Sequence, residues 1–200
     1  MTLLDGVAAP SVAARNFPVL ETERLVLRTP RLDDAETIAT LINDRRIAEN
    51  LARVPHPYTL ADAEGFIGWA NTNDSEAAFL ITLVDGTLIG GCGVGVLSGR
   101  DPEIGYWLGV PYWGNGYATE TAHAVIDHAF NDLGYERLEA GARVSNPASR
   151  RVLEKCGFQW TGVILQRSRA LNSSVPCDRF RLDRGLWASL KSWGSVRRAA

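Results

Sequence analysis

Tyr112-Trp113-Gly114-Asn115-Gly116-Tyr117-Ala118-Thr119-Glu120 is the stretch that decides how this chain is read. An apolar run over 104–110 precedes it, and Pro111 closes that run. A helical pattern of Ala118, Ala122, Val125, Ile126 and Ala129 follows, so the order is strand, glycine-bearing loop, helix. Gly114 and Gly116 can take positive φ and leave the neighbouring N–H groups uncovered by side chains. The first turn of the helix adds free N–H groups and a partial positive charge. Together these features suit an anion, most usefully a phosphate. A tight strand-to-helix turn without a ligand accounts for a lone Gly-x-Gly equally well. Two nucleotide motifs fail here. The dinucleotide fingerprint needs Gly or Ala three residues after Gly116, where Thr119 stands. The nucleotide triphosphatase loop needs Gly-Lys-Ser/Thr, and the only lysines are Lys155 and Lys191.

The 200 residues suit one domain with a substantial core. A hydrophobic fraction of 46% and a charged fraction of 22% are ordinary globular values. The net charge of −2 creates no field that would draw nucleic acid, so no nucleic-acid partner is expected. Cys92, Cys156 and Cys177 are far apart and odd in number, which fits neither a disulfide framework nor zinc spacing. A reducing cytoplasm is the expected location, with no metal and no membrane partner. Residues 1–19 read as a loose leader, 20–187 as the domain and 188–200 as a tail with some helix.

Around the loop, residues 22–29 alternate as a first strand, with Leu25 and Leu27 on one face. Helices follow over about 33–42 and 60–70, with a helical turn over 45–51 between them. Thr59, with Asp62 three residues on, reads as an N-cap for the second of these helices. Strands are expected over 76–84 and 87–97 around Asp85-Gly86, with a turn over 98–102. A fourth strand covers 103–110, the main helix runs to about 132, and a fifth strand covers 137–144. Asn146-Pro147 opens a short helix ending at Gly157, with Asn as the cap and Pro in the first turn. Strands over 160–171 and 179–186 close the domain.

With this order assembled, the chain resembles the GNAT superfamily of acyl-coenzyme A-dependent N-acetyltransferases, in particular the branch containing the ribosomal-protein alanine N-acetyltransferases. The family's pyrophosphate motif, Gln/Arg-x-x-Gly-x-Gly/Ala, falls on Trp113-Gly114-Asn115-Gly116-Tyr117-Ala118, with Trp113 in place of the usual first residue. Two further stretches resemble the branch: Glu103-Ile104-Gly105-Tyr106-Trp107-Leu108, and Asn146-Pro147-Ala148-Ser149 through Val152-Leu153-Glu154-Lys155-Cys156-Gly157-Phe158. The resemblance implies an α/β (α+β mixed-sheet) fold: seven mostly antiparallel strands, splayed between the fourth and fifth, flanked by four helices. It implies acetyl-CoA as co-substrate, with Trp113, Gly114, Asn115, Gly116, Tyr117, Ala118 and Thr119 on the pyrophosphate. Tyr106, Trp107, Leu108 and Asn146 would then lie along the pantetheine arm. Many superfamily members carry a tyrosine just before the Glu-Lys pair, where it protonates the leaving thiolate. Leu153 occupies that position, and Ser149 on the same helix is the substitute that the branch suggests.

The implied reaction is direct attack of a primary amine, a small molecule or a protein N-terminus, on the thioester. An N-terminal amine costs ~1 kcal/mol to deprotonate at pH 7 and a lysine ~4–5 kcal/mol. Glu103 is the candidate base, acting directly or through water, and a solvated carboxylate at a strand end is the plainer reading of it. Ser149 is the candidate acid. Arg150, Arg151 and Lys155 could reach the coenzyme's 3′-phosphate, and a solvated helix face explains them too. His56, His123 and His128 read as structural. Two alternatives stand beside this reading: a non-catalytic acyl-CoA sensor on the same fold, and an acyltransferase using a longer acyl chain or a hydroxyl acceptor. A homodimer is compatible with the sequence.

Overall fold

The computed structural model describes residues 18–73, 75–96 and 101–196. Most of the expected leader, the turn over 98–102 in large part, and the last four residues lie outside that set. Eight strands form one open sheet in the order β1-β2-β3-β4-β5-β6-β8-β7. They are β1 (Leu20–Glu21), β2 (Leu25–Arg28), β3 (Glu76–Leu83), β4 (Leu88–Val96), β5 (Pro102–Leu108), β6 (Arg137–Arg143), β7 (Gln159–Ser168) and β8 (Ser173–Asp183). The helices are α1 (Ala35–Ile42), α2 (Arg45–Ala48), α3 (Leu60–Thr72), α4 (Tyr117–Asn131), α5 (Pro147–Lys155) and α6 (Arg184–Val196). The expected seven strands and four helices thus become eight and six among the described residues. The added strand is only the pair Leu20–Glu21, which Thr22 separates from β2 by donating its Oγ1 to the Leu25 carbonyl. The added helices are the four-residue α2 and the C-terminal α6, which crosses the expected domain end at 187.

The sheet is the middle of three layers. Successive side chains of a strand point to opposite faces. On β3, Phe79 and Ile81 therefore join a core with α4 and α5, while Leu80 joins a second core with α1 and α3. Burial on both faces explains why β3 reads as a nearly unbroken apolar run rather than an alternation. On β2 only Leu25 and Leu27 are fully buried, as the alternation there predicts. α4 lays Ala122, Val125, Ile126, Ala129 and Phe130 on the first core, at helical spacing. Truncating the fully buried Phe130 to Ala would cost roughly 3–5 kcal/mol.

Two local features position the site. Gly91 of β4 pairs with Trp107 of β5, and a Cβ on Gly91 would lie 2.7 Å from the Trp107 indole nitrogen. Glycine there leaves room for the indole beside the neighbouring strand. Second, β5 and β6 run parallel but pair only at Glu103↔Glu139 and Ile104↔Ala140. β5 continues to Leu108 and β6 to Arg143 without further pairing to each other, so the sheet opens into a V whose apex is the paired stretch Glu103–Ile104.

Candidate active site

The V leads to the glycine loop. Gly114 (φ 79°) and Gly116 (φ 82°) both adopt left-handed backbone, the conformation that glycine takes without a Cβ penalty. Gly116 is the N-cap of α4. Among the described residues, the backbone N–H groups of Gly114, Asn115, Gly116, Tyr117 and Ala118 donate to no protein acceptor. The first internal bonds of the helix run from Thr119 and Glu120 back to the Gly116 carbonyl. Consecutive free amides at the start of a 15-residue helix make an anion cradle. The loop is braced from below: Trp113 donates its indole N–H to the Leu108 carbonyl at 2.8 Å, and the Asn115 amide donates to the Trp113 carbonyl at 3.1 Å. Leu108 is buried, whereas Trp113 keeps 45% of its surface exposed.

Arg24, which sequence reasoning missed, stands beside this loop. It donates to the Asn115 carbonyl at 3.1 Å and lies over the Tyr117 ring, 4.7 Å from its centroid. Glu120 anchors it through a 2.6 Å ion pair and also accepts from Thr22. Burial pushes the Glu120 carboxyl up, but the bonds from Thr22 and Arg24 reverse this and hold it below the usual carboxylate range.

The second convergence lies across the V. Asn146 caps α5 by accepting from the Ser149 backbone N–H at 3.1 Å, as Asn-Pro predicts. This turns the Ser149 side chain toward β5. There the Tyr106 hydroxyl lies 3.1 Å from Ser149 Oγ and donates to the Ser149 carbonyl at 3.3 Å. Burial raises the Tyr106 phenol well above the ordinary tyrosine range, so the group stays protonated. Leu153, at the position where many superfamily members carry a tyrosine, is 1% exposed and packs in the core.

Glu103 sits at the apex and is ion-paired. Arg179 of β8 donates to it at 3.0 Å and also to Glu139 of β6. Burial works against the Arg179 charge, but the two carboxylates more than offset this and raise its pKa. One cavity of about 1480 Å³ is lined by all the expected site residues except Asn115: Glu103, Tyr106, Trp107, Leu108, Trp113, Gly114, Gly116, Tyr117, Ala118, Thr119, Asn146 and Ser149. Cys156 takes no part, since burial pushes its thiol up to about 12. His128 is buried against Phe79 and bonds Asp132 at 2.7 Å, a structural role.

With this geometry in hand, the family comparison is decisive: the model described as the acetyltransferase (GNAT) domain matches residues 24–159. The chain belongs to the GNAT acetyltransferase family. An uncharacterized N-acetyltransferase, p20 of Bacillus licheniformis, is 30% identical over 170 residues, covering 82% of this chain and 94% of that protein. Among solved structures, Mycobacterium smegmatis RimJ in complex with CoA-disulfide superposes with a TM-score of 0.72 at 20% identity, covering 87% of this chain and 90% of the other. Spermidine N-acetyltransferase from Vibrio cholerae, in complex with CoA and spermine, superposes with a TM-score of 0.72 at 20% identity, covering 84% and 99%. The open sheet and the GNAT fold expected from the sequence are therefore correct, and the chain is an N-acetyltransferase.

In this acetyltransferase the cavity continues through the V to the α1–α3 face. There it is walled by Ile42, Ile47, Tyr58, Phe66 and Trp69, and by Trp107 from β5. Gly105 has nothing within 4 Å of where a Cβ would lie, which keeps the floor of this half open. Among the candidates for the 3′-phosphate, Arg150 is engaged by Glu154 at 2.9 Å, whereas Arg151 and Lys155 line the cavity. No helix among the described residues is long and apolar enough to cross a membrane.

Proposed function

We propose that the protein transfers an acetyl group from acetyl-CoA to a primary amine by direct attack within a ternary complex. The observation that carries this reading is the run of five unbonded amides from Gly114 to Ala118 at the wide end of the V. Those amides and the α4 dipole hold the coenzyme's pyrophosphate. The pantetheine arm runs between β5 and β6, where Tyr106, Trp107, Leu108 and Asn146 contact it, and where strand backbone left unpaired by the splay can bond its amides. Thr119 closes the first turn of the cradle, and Arg151 and Lys155 are free to meet the 3′-phosphate.

The thioester carbonyl then lies against β5. A backbone N–H there stabilises the oxyanion, a contribution worth about 3–4 kcal/mol per donor. As the C–S bond breaks, the Ser149 hydroxyl donates its proton to the departing sulfur. Tyr106 then turns its one hydrogen from the Ser149 carbonyl to Ser149 Oγ and supplies the replacement proton, which water restores to the phenol. Glu103 acts as base toward the incoming ammonium through a water, and Arg179 fixes its orientation. Thiol release with a panel of primary amines tests the reading: acetylated amine and free CoA should appear in equal amounts, with no acetyl-enzyme. Ping-pong kinetics with an isolable acetyl-enzyme would contradict it.

A further inference from the structure

The acceptor half of the cavity contains two guanidinium groups that form no ion pair among the described residues. Arg143, the last residue of β6, donates Nη1 to the Glu49 backbone carbonyl at 2.7 Å, and its Nε is buried without an acceptor. Arg169, in the turn after β7, donates Nη1 to the Arg53 carbonyl at 3.3 Å. Both line the same cavity. The other arginines of this region are matched: Arg46 with Asp44, Arg53 with Glu76, and Arg179 with Glu103 and Glu139. Glu49 is taken by Arg45. One carboxylate of the wall, Asp62, forms no ion pair among the described residues and is committed to capping α3 through Thr59; the Thr59 bonds, with the Arg169 charge added, hold its carboxyl below the usual range.

A guanidinium held in a cavity without a counter-charge is costly, and an anionic ligand oxygen there recovers part of that cost. With Nη1 used by a carbonyl and Nε covered, Nη2 of Arg143 has no protein acceptor among the described residues and is left to meet an oxyanion. At the apex, two carboxylates share one arginine, so that end carries an excess negative charge. The cavity is therefore polarised: it favours an ammonium end toward β5 and an anion toward Arg143 and Arg169.

We propose that the acceptor amine also carries an anionic group, a carboxylate or a phosphate, which Arg143 and Arg169 hold while the amine faces the thioester site. The acceptor class is thus amino acids or aminoalkyl phosphates rather than polyamines. This inference rests on the acetyltransferase reading above.

Matched pairs of acceptors test it. With acetyl-CoA saturating, thiol release is compared for tyrosine against tyramine, for O-phosphoethanolamine against ethanolamine, and for spermidine. The pairs separate carboxylate from phosphate recognition. The expected result is a higher kcat/KM for an anion-bearing member. Arg143→Gln and Arg169→Gln should each reduce that preference by about 10- to 100-fold, moving the ratio within the pair toward one. Calorimetry with acetyl-CoA on both variants controls for folding and for the coenzyme site, and a loss of coenzyme binding in the wild type would instead sink the acetyltransferase reading. Fluorescence of Trp69 and Trp107, which line the cavity, gives a binding readout with CoA present. Preference for tyramine, ethanolamine or spermidine overturns the proposal, and so does an unchanged preference in both arginine variants. Failure of tyrosine and O-phosphoethanolamine both to bind and to react overturns it as well.

Discussion

The Tyr106 hydroxyl lies 3.1 Å from Ser149 Oγ and so joins β5 to α5 across the open side of the sheet. A strand tyrosine thereby brings a phenol to α5, whose own Leu153 is buried in the core. Ser149→Ala should lower kcat by roughly 10²-fold or more while leaving the acetyl-CoA KM within a few-fold. Tyr106→Phe should lower kcat by a smaller factor in the same direction. Steady-state kinetics check both, and equal turnover in Ser149→Ala would remove the serine from proton transfer.

Glu103→Gln keeps the shape and part of the hydrogen bonding to Arg179 but cannot accept a proton. The pH–rate profile of this variant should lose its alkaline rise. A profile parallel to the wild type's would show that the incoming amine loses its proton elsewhere.

Arg179 is the structural keystone of the apex. Replacing it with Met would leave Glu103 and Glu139 facing each other without a counter-charge, at a cost of about 3–5 kcal/mol. Adding Glu139→Gln to that variant should recover part of the loss. Chemical denaturation of the single and double variants measures this, and additive destabilisation would contradict the pairing.

Gly116→Ala places a Cβ on a backbone with φ 82° and within 3.4 Å of the Arg24 guanidinium. The left-handed conformation costs about 1–2 kcal/mol for a residue with a Cβ. Thermal stability should fall and the acetyl-CoA Kd should rise. Calorimetry that showed wild-type affinity would mean that the left-handed turn is not needed to aim the amides.

Acid sensitivity should depend in part on Asp34, which accepts two bonds from Arg28 and one from the Arg31 backbone. Burial alone would raise its carboxyl, but these bonds and the arginine charges hold it below the usual range. A carboxylate depressed in the folded state stabilises the protein above its unfolded pKa, and that stability is lost as pH falls through the folded value. Wild type should therefore lose more Tm than Asp34→Asn on going from pH 5 toward pH 2. Equal losses would show that the pair contributes nothing.

Much of this architecture is local in the sequence and so could be read from it. Leu25 and Leu27 alternate because one strand face is buried, Asn146-Pro147 caps and starts α5, and Gly114 with Gly116 marks the loop. What stayed hidden depends on partners far apart in the chain. Arg24 meets Glu120 across 96 residues, and Arg179 meets Glu103 across 76. No spacing rule brings such pairs together; only the sheet order does. One short strand was missed for another reason. Leu20–Glu21 is too brief to show a period, and its pairing with β2 defines it, whereas the helical turn expected over 45–51 is present as α2. Arg143 gave no signal either, since an arginine ending a strand reads as solvated until its Nε is found buried.

The central claim is that the amides between Gly114 and Ala118 hold the coenzyme's diphosphate. A crystal structure of the protein with CoA tests it most directly. The account requires diphosphate oxygens within hydrogen-bonding distance of several of those five N–H groups, with the pantetheine entering between β5 and β6. A coenzyme whose diphosphate lies elsewhere, with those amides bonded only to water, would contradict it.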